Sequence, residues 1–316
     1  MTTGMSVQPL FLSSGDLIAD RRYDIARQYW QRGDLKAAAE IMEQALDVAP
    51  TFTSAWFSLG EVREALGEPD RAVVAFRRAL ASDPEDRRGA ALHLMRLGAL
   101  TAGAMPEAYV RTLFDQYAPR FDHALLETLN YRGPRVLRDA VVSALQEIGH
   151  PARFGRAIDL GCGTGLGGRA FAPHADEVVG CDLSAAMIAQ ARATRLYARL
   201  VVSEMVGMLA AEPDRSADLI YATDAVVYLG DLRPLLREAA RVLARRGVLA
   251  FTVEMHGGDG VVLGPGLRFQ HGLAYLREAL EGSGLRTLAI AEASTRDEGG
   301  EPVPGLTVVA LNDDGG

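Results

Sequence analysis

The 316 residues are 48% hydrophobic and 23% charged, a composition typical of folded globular domains. At roughly 100–200 residues per domain, this length predicts two or three domains. The formal net charge of −8 argues against a nucleic-acid-binding protein, which needs a concentrated basic face. No apolar run of about 18 residues is present, and the first residues lack the basic and apolar regions of a secretory signal, so we expect no membrane association and no export.

The cysteine content indicates the compartment. Cys162 and Cys181 are the two cysteines of the chain, too few for a disulfide framework or a cysteine-based metal site. Unpaired cysteines suit a reducing environment. We therefore expect a cytoplasmic protein that holds no metal ion.

The first third of the chain contains an internal repeat of 34 residues, measured from Gly33 to Gly67. Six pairs share this spacing: Gly33/Gly67, Ala38/Ala72, Met42/Phe76, Ala45/Ala79, Leu46/Leu80 and Pro50/Pro84. A glycine at a turn, small residues where helices cross and a closing proline predict two helices in each copy. We expect Asp83 to begin a further helix over residues 87–100 that caps the array.

The second copy of this repeat carries a family resemblance. It contains Trp56-x-x-Leu59-Gly60, then Ala72-x-x-x-Phe76 and a closing proline, and it resembles the tetratricopeptide (TPR) repeat. Arg63 departs from that pattern, which has Tyr there. Two repeats are fewer than the three or so that a solenoid needs alone. The repeats would therefore pack on the rest of the chain or a second copy, or else form a groove for a peptide or protein partner.

From about residue 155 onward, short apolar runs alternate with helical patterns, which predicts an α/β fold with a parallel sheet. The seven predicted strands are 156–160, 177–182, 199–203, 218–222, 248–254, 285–292 and 306–311. The predicted helices are 168–173, 185–197, 232–244 and 272–282. The Gly/Pro-rich link 298–305 is too short for a crossover helix, so the last two strands should be antiparallel.

The stretch between the repeats and the first strand is helical and aromatic. Phe114, Tyr117 and Phe121 lie on one helical face. Such a face is either an ordinary buried stripe or a lid over a cofactor or substrate. Both interpretations stay open at this point.

The strongest chemical motif is Asp159-Leu-Gly161-Cys-Gly163-Thr-Gly165, which joins the first strand to a helix. Glycines allow a tight turn and let a ligand approach the backbone. Asp182 ends the second strand, 21 residues after Gly161, where an acid accepts hydrogen bonds from ribose hydroxyls. The motif therefore predicts an adenosine-containing cofactor at the carboxyl ends of a parallel sheet.

Two cofactors fit this arrangement. Gly163-x-Gly165-x-x-Gly168 formally satisfies the dinucleotide fingerprint, so NAD stays an alternative. Asp159 argues against it, because a buried carboxylate suits the ammonium group of an amino-acid cofactor and would repel a pyrophosphate. The single glycine loop and the terminal hairpin argue in the same direction.

The glycine motif, followed by Asp182-Leu183-Ser184 and Met187, resembles class I S-adenosylmethionine (SAM)-dependent methyltransferases. Residues 218–224 and 241–247 resemble the fourth strand of that family and its turn into the fifth. With the repeats in front, the chain resembles bacterial predicted methyltransferases that carry TPR repeats. The resemblance implies a Rossmann-like α/β sheet of seven strands with an antiparallel last pair, preceded by an all-α TPR domain. The implied parts are repeats with a capping helix (1–100), a helical lid (101–150) and the catalytic domain (151–316).

The resemblance also implies a set of residues around SAM. They are Asp159, Gly161, Cys162, Gly163, Gly165, Asp182, Leu183, Met187, Glu204, Met205 and Thr223. Asp159 and the loop glycines would hold the methionine part, and Asp182 would hold the ribose. Leu183 and Met187 would flank the adenine, and Glu204 would lie near its amino group.

Catalytic residues follow from the same resemblance and from position. Asp224 would lie at the sheet edge near the methyl group. His271, after the fifth strand, is a candidate general base, with a structural histidine as the alternative. Tyr117 and Tyr228 would wall the substrate pocket or belong to the core. SAM would supply the reactive methyl group, and the protein would mainly orient the reactants.

The acceptor is predicted to be a small molecule, with a peptide or protein as the alternative. After the fourth strand the chain reads Thr223-Asp224-Ala225-Val226, which lacks the Asn/Asp-Pro-Pro-aromatic run used on the amino groups of nucleic-acid bases. Two other functions stay open. One is an NAD-dependent oxidoreductase, and the other is a TPR interaction module whose α/β domain binds a nucleotide without turnover.

Overall fold

The computed structural model describes residues 12–101, 103–123, 125 and 129–313. The chain divides into two compact units: a repeat unit that ends at Thr112 and an α/β unit that begins at Leu113. This division comes later in the chain than the predicted end of the repeats near residue 100. Among the described residues, no helix combines the length and the apolarity that a membrane crossing requires.

The repeat unit consists of helix pairs. Its helices are α1 (Leu17–Gln31), α2 (Leu35–Val48), α3 (Thr53–Ala65), α4 (Pro69–Ser82) and α5 (Ala90–Arg96). The turns within both pairs depend on Gly33 and Gly67, whose φ angles of +83° and +73° favour glycine. Met42 and Phe76 are fully buried between helices. A Cβ at Gly60 would lie 2.6 Å from the Phe76 ring, so α3 and α4 cross closely only because this residue is glycine.

The predicted start of the capping helix is wrong. Asp83 does not begin a helix, and α5 starts later and is shorter than the predicted 87–100. The carboxylate of Asp86 lies near that start and accepts hydrogen bonds from the backbone N–H groups of Ala90 (2.6 Å) and Ala91 (2.9 Å). Because its φ is +52°, Asp86 turns the chain before the helix begins.

The α/β unit is built on one large mixed sheet and a small hairpin. The strands are β1 (Phe154–Leu160), β2 (Ala175–Asp182), β3 (Arg199–Val202), β4 (Ala217–Ala222), β5 (Leu243–Met255), β6 (Val261–Leu263), β7 (Phe269–His271), β8 (Arg286–Glu292), β9 (Asp297–Glu298), β10 (Glu301–Pro302) and β11 (Gly305–Leu311). The order in the large sheet is β3-β2-β1-β4-β5-β11-β8. The first five are parallel, and β11 is antiparallel to β8, as predicted; β11 is also antiparallel to β5.

Four short strands were not predicted. β6 and β7 form a hairpin whose second strand pairs in parallel with the end of β5. β9 and β10 form a hairpin within the link that was predicted only to lack a helix. Both hairpins come from segments that follow the carboxyl end of β5 or precede β11. The β6–β7 hairpin therefore extends the large sheet at the carboxyl end of β5, the side where ligands bind in folds of this type, whereas β9 and β10 form a separate two-stranded sheet.

Further helices follow α5, and several of them pack on the two faces of the sheet. They are α6 (Glu107–Tyr117), α7 (Phe121–His123), α8 (Gly133–Glu147), α9 (Leu166–Phe171), α10 (Ala185–Ala193), α11 (Met205–Ala210), α12 (Arg233–Val242) and α13 (Leu273–Gly282). Single 3₁₀ turns span Ala118–Arg120, Ala172–His174 and Val226–Tyr228. Ile158 and Ile220 pack in the core that contains α12 and α13, while Leu219 packs on the other face with α8. Burial on both faces explains why the central strands read as continuous apolar runs.

Candidate active site

The loop after β1 is shaped by three glycines in the left-handed region. Gly161, Gly163 and Gly165 have φ angles of +68°, +53° and +99°. A Cβ at Gly161 would also lie 2.5 Å from the Cβ of Ala225, so the loop passes close to the chain that follows β4. The loop forms one side of a small cleft at the carboxyl ends of the central strands.

Asp182 at the end of β2 contacts this loop directly. Its Oδ2 accepts a hydrogen bond from the backbone N–H of Gly163 (2.9 Å), and its Oδ1 accepts one from Ser184 (2.8 Å). Burial raises the pKa of Asp182 to about 6, although these two N–H groups oppose that shift. Each carboxylate oxygen has a further lone pair with which it can accept a ligand hydroxyl.

Asp159 lies deeper and lines the cleft. Its carboxylate is 1% exposed and accepts a hydrogen bond from the Tyr197 hydroxyl at 2.7 Å. Burial raises the pKa of Asp159 to about 7; the neighbouring tyrosine hydroxyls lower it, and the charge of Asp182 raises it. The site therefore holds two acidic groups whose charge is sensitive to what binds between them.

Residues 113–123, which we call the lid, lie over the glycine loop and the start of α10. The Asp115 carboxylate accepts a hydrogen bond from the Ser184 hydroxyl (2.6 Å). The Asp122 carboxylate accepts one from the Thr164 hydroxyl (2.5 Å), and the Phe121 ring lines the cleft. Of the two interpretations of the aromatic face, these contacts support a lid.

A second cluster surrounds Asp224, which follows β4 with a φ of +51°. Its Oδ1 accepts hydrogen bonds from the hydroxyls of Thr252 and Thr295, both at 2.9 Å. Its backbone N–H donates to the Thr252 hydroxyl (2.8 Å). Its Oδ2 lies 3.5 Å from Nη1 of Arg296. The carboxylate is thus held from several sides.

The cluster continues from Arg296 into a buried ion-pair network. Arg296 bonds Glu254 and, at 2.9 Å, Glu298; Arg268 bonds the same two carboxylates. Burial alone would raise the pKa of Glu254, but the two arginines hold it below its ordinary value. We call Asp224, Thr252, Glu254, Arg268, Thr295, Arg296 and Glu298 the Asp224 network. It joins the end of β5 to the segment before β7 and to β9.

Two family models match this chain. A family model described as a methyltransferase domain matches residues 158–251, and a tetratricopeptide repeat model matches residues 23–87. The chain contains a methyltransferase domain preceded by tetratricopeptide repeats.

Curated relatives match the methyltransferase domain. The malonyl-[acyl-carrier protein] O-methyltransferase of Enterobacter lignolyticus is 37% identical over 102 residues, which cover 32% of this chain and 39% of that protein. The trans-aconitate 2-methyltransferase of Variovorax paradoxus is 40% identical over 98 residues, or 30% of this chain and 37% of that protein. The chain thus spans well under half the length of the curated relatives it matches.

A solved structure supports the fold. It is the Burkholderia thailandensis 1,6-didemethyltoxoflavin-N1-methyltransferase, with 1,6-didemethyltoxoflavin and S-adenosylhomocysteine bound. It aligns with a TM-score of 0.52 over 68% of this chain and 93% of that one, at 15% sequence identity. This likeness concerns the fold of the methyltransferase domain alone.

His271, the predicted base, is enclosed in the methyltransferase domain. It is 0% exposed, and its Nε2 lies 3.0 Å from the Leu229 carbonyl oxygen and 3.2 Å from that of Gly230. Burial lowers the pKa of His271 to about 4, so the ring is neutral near pH 7 and donates from Nε2. This placement gives the ring no access to the cleft and favours the structural alternative.

Three other predicted residues lie in different surroundings, and one of them lines the cleft. Thr223 lines it, and the Thr223 hydroxyl has no hydrogen-bond partner within the described part of the chain. Glu204 instead caps α11, where its carboxylate accepts hydrogen bonds from the backbone N–H groups of Val206 (2.8 Å) and Gly207. Met187 is fully buried.

The remaining predicted residues differ in burial and in their contacts. Leu183 and Met205 are half-buried. Tyr117 is buried and packs edge-on against Phe121, with ring centroids 5.8 Å apart. Cys162 lines the cleft, but burial raises the pKa of its thiol well above the ordinary value, so it is no candidate nucleophile.

The Asp224 network was largely missed by sequence reasoning. Only Asp224 was predicted as a site residue. Its partners come from β5 and from two later segments, and no regular spacing links them. An arginine at position 268 or 296 is unremarkable in a chain that holds 33 basic residues.

Proposed function

We propose that this chain is a SAM-dependent methyltransferase that transfers a methyl group to an oxygen or nitrogen nucleophile of a small molecule. One observation carries the proposal. The left-handed glycine loop, to which the Asp182 carboxylate bonds, lines a cleft at the carboxyl ends of the central strands, in a domain that matches the methyltransferase model. The solved relative with S-adenosylhomocysteine supports the choice of cofactor.

The residues present fit SAM. Gly163 leaves the loop open where a side chain would stand, and the buried Thr223 hydroxyl provides a polar group without a protein partner among the described residues. Asp182 would accept hydrogen bonds from the ribose, and Asp159 would attract the ammonium group of the methionine part. When bound, SAM supplies an electrophilic methyl group on a sulfonium centre.

The chain's own contribution is orientation and exclusion of water. The lid, held through Asp115 and Asp122, would close the cleft over the loop. Asp224, fixed by two threonine hydroxyls, would orient the acceptor or take its proton. Correct alignment of two reactants can provide about 7–11 kcal/mol of barrier reduction, so no further nucleophile on the protein is needed.

The small-molecule acceptor is supported by the names of relatives that act on trans-aconitate and on 1,6-didemethyltoxoflavin. A peptide or protein acceptor is the second candidate, because another relative is named for an acyl-carrier protein. The repeats would then present the partner or mediate self-association. We place the protein in the cytoplasm, in keeping with its unpaired cysteines.

NAD binding is less well supported than SAM binding. The third glycine of the dinucleotide fingerprint, Gly168, has a local explanation, because a Cβ there would lie 2.4 Å from the Tyr197 hydroxyl. The glycine spacing therefore does not require a pyrophosphate.

Titration calorimetry tests the proposal. We expect SAM and S-adenosylhomocysteine to bind the full chain with micromolar affinity, or about −8 kcal/mol. NAD at the same concentration should give no heat of binding. Tight binding of NAD without binding of SAM would contradict the proposal and favour the oxidoreductase.

A further inference from the structure

Tyr197 lies between α10 and β3, outside every motif used above, and its hydroxyl is held beneath the glycine loop. It donates a hydrogen bond to Oδ2 of Asp159 (2.7 Å) and accepts one from the backbone N–H of Gly168 (3.1 Å). One side chain thus joins the carboxylate near the end of β1 to the first turns of α9. These are the two elements that the glycine loop connects.

Three glycines make room for this ring. A Cβ at Gly168 would lie 2.4 Å from the hydroxyl, and one at Gly180 would lie 2.9 Å from the ring. One at Gly165 would lie 3.3 Å from it. The glycines belong to α9, β2 and the loop, so the ring fits only because three separate elements lack a side chain there.

The hydroxyl is a permanent donor. Burial raises the pKa of Tyr197 far above the ordinary value, and the charge of Asp159 raises it further. The Tyr197 hydroxyl therefore keeps its proton and can donate it to the Asp159 carboxylate at 2.7 Å when that carboxylate is ionised. The other titratable groups that face Asp159 are Tyr131 before α8, and Tyr221, Asp182 and Cys162, each on or beside β1, β2 or β4.

We propose that Tyr197 is a positioning residue for the cofactor: its hydroxyl fixes the Asp159 carboxylate and the start of α9 so that the glycine loop is preformed for SAM. This inference rests on the proposed function, since it concerns how that cofactor is held. Tyr197 does not line the cleft, so its effect acts through Asp159 and the loop.

Tyr197→Phe tests the inference because it removes one oxygen and keeps the ring. We expect SAM affinity at pH 7 to fall about tenfold, because hydrogen bonds to charged groups are among the stronger ones. The affinity should also depend on pH. In the wild type it should rise around pH 7 as Asp159 ionises. In Tyr197→Phe the pH at which the affinity is half-maximal, its pH midpoint, should be higher. The lost hydroxyl stabilises the ionised form of the Asp159 carboxyl group, so its removal raises the pKa of that group.

Tyr275→Phe is the matched control. The Tyr275 hydroxyl also accepts from a backbone N–H, that of Leu232 (2.6 Å), and donates to a carboxylate, that of Asp231 (2.9 Å). We expect this variant to change the melting temperature as Tyr197→Phe does. Its SAM affinity and the pH midpoint of that affinity should equal those of the wild type.

The outcomes separate the two proposals. If the wild type binds SAM and Tyr197→Phe keeps both its affinity and its pH midpoint, the inference is overturned and the proposed function stands. The inference is overturned in the same way if Tyr275→Phe weakens binding equally. If the wild type binds no SAM at any pH, the proposed function fails, and this inference fails with it.

Discussion

The two halves of the sheet's carboxyl edge are built in different ways. The half around β1 and β2 is shaped by a short continuous loop of left-handed glycines that lines the cleft, with Asp182 bonded to that loop. The half beyond β4 is made by the Asp224 network, in which charged and hydroxyl side chains from distant segments bond one another. The loop of the first half lines the cleft, whereas the groups of the second half bond mainly one another, with Oδ2 of Asp224 left without a hydrogen-bond partner among the described residues.

The first half is suited to binding the cofactor, whereas the second half mainly stabilises the fold. Backbone geometry and one carboxylate suit a cofactor that is the same for every enzyme of this type. A dense side-chain network instead fixes the position of Asp224 and links the β6–β7 hairpin to the β9–β10 hairpin. We therefore expect changes in the first half to alter cofactor affinity at little cost in stability, and changes in the second half to do the reverse.

The largest effect should come from Arg296→Met, in the Asp224 network. Removing one partner of a buried ion pair leaves Glu254 and Asp224 poorly compensated, so the free energy of unfolding of the α/β unit should fall by about 3–5 kcal/mol. Urea titration followed by far-UV circular dichroism measures this loss. Both tryptophans, Trp30 and Trp56, lie in the repeat unit, so tryptophan fluorescence follows that unit separately.

Arg286→Met is the control for this prediction. Arg286 is half exposed and bonds Asp313, and such surface pairs are worth about 0–1 kcal/mol. Equal losses of stability in the two variants would show that the Asp224 network contributes no more than a surface ion pair. The proposed difference in stability between the two halves would then be wrong.

Asp182→Ala comes next in size. Loss of its carboxylate should weaken SAM binding at least tenfold, which corresponds to about 1.4 kcal/mol. Calorimetry of the purified variant at pH 8, where the Asp182 carboxyl of the wild type is ionised, gives the affinity directly. Asp176→Ala removes an acid from the same strand at its other end, where Asp176 bonds Arg153, and should bind SAM as the wild type does. Unchanged affinity in Asp182→Ala would mean that the ribose is held elsewhere.

The smallest of these effects concerns the lid. Asp115→Ala removes the bond from the Ser184 hydroxyl, and one hydrogen bond contributes about 1 kcal/mol, so SAM should dissociate about fivefold faster. Stopped-flow displacement by S-adenosylhomocysteine measures that rate. Asp139→Ala, on the exposed side of α8, is the control. If both variants release SAM at the wild-type rate, residues 113–123 do not act as a lid.

Much of the cofactor half could be predicted from the sequence because its signals are local. Positive φ angles at Gly161, Gly163 and Gly165 require glycine, and an acid at the end of the next strand follows from the strand pattern. Doubly buried strands are recognisable as apolar runs. The structure thus contains every strand of the predicted seven.

The other half depends on contacts between residues far apart in the chain. Thr252 and Thr295 meet at Asp224 only because β5 and the segment before β9 lie side by side. Burial also decided the roles of single residues. His271 sits at a suitable position in the sequence but is enclosed, and Arg63, a departure from the repeat pattern, is buried between Glu43 and Glu68.

The most direct test of the central claim is transfer of a labelled methyl group. The full chain is incubated with methyl-labelled SAM and a bacterial extract, which is then separated into small-molecule and macromolecular fractions. The account predicts label in the small-molecule fraction, dependent on the wild-type protein and lost with Asp182→Ala. Binding of SAM with no transfer to any fraction would contradict it and would favour a TPR interaction module that holds the cofactor without turnover.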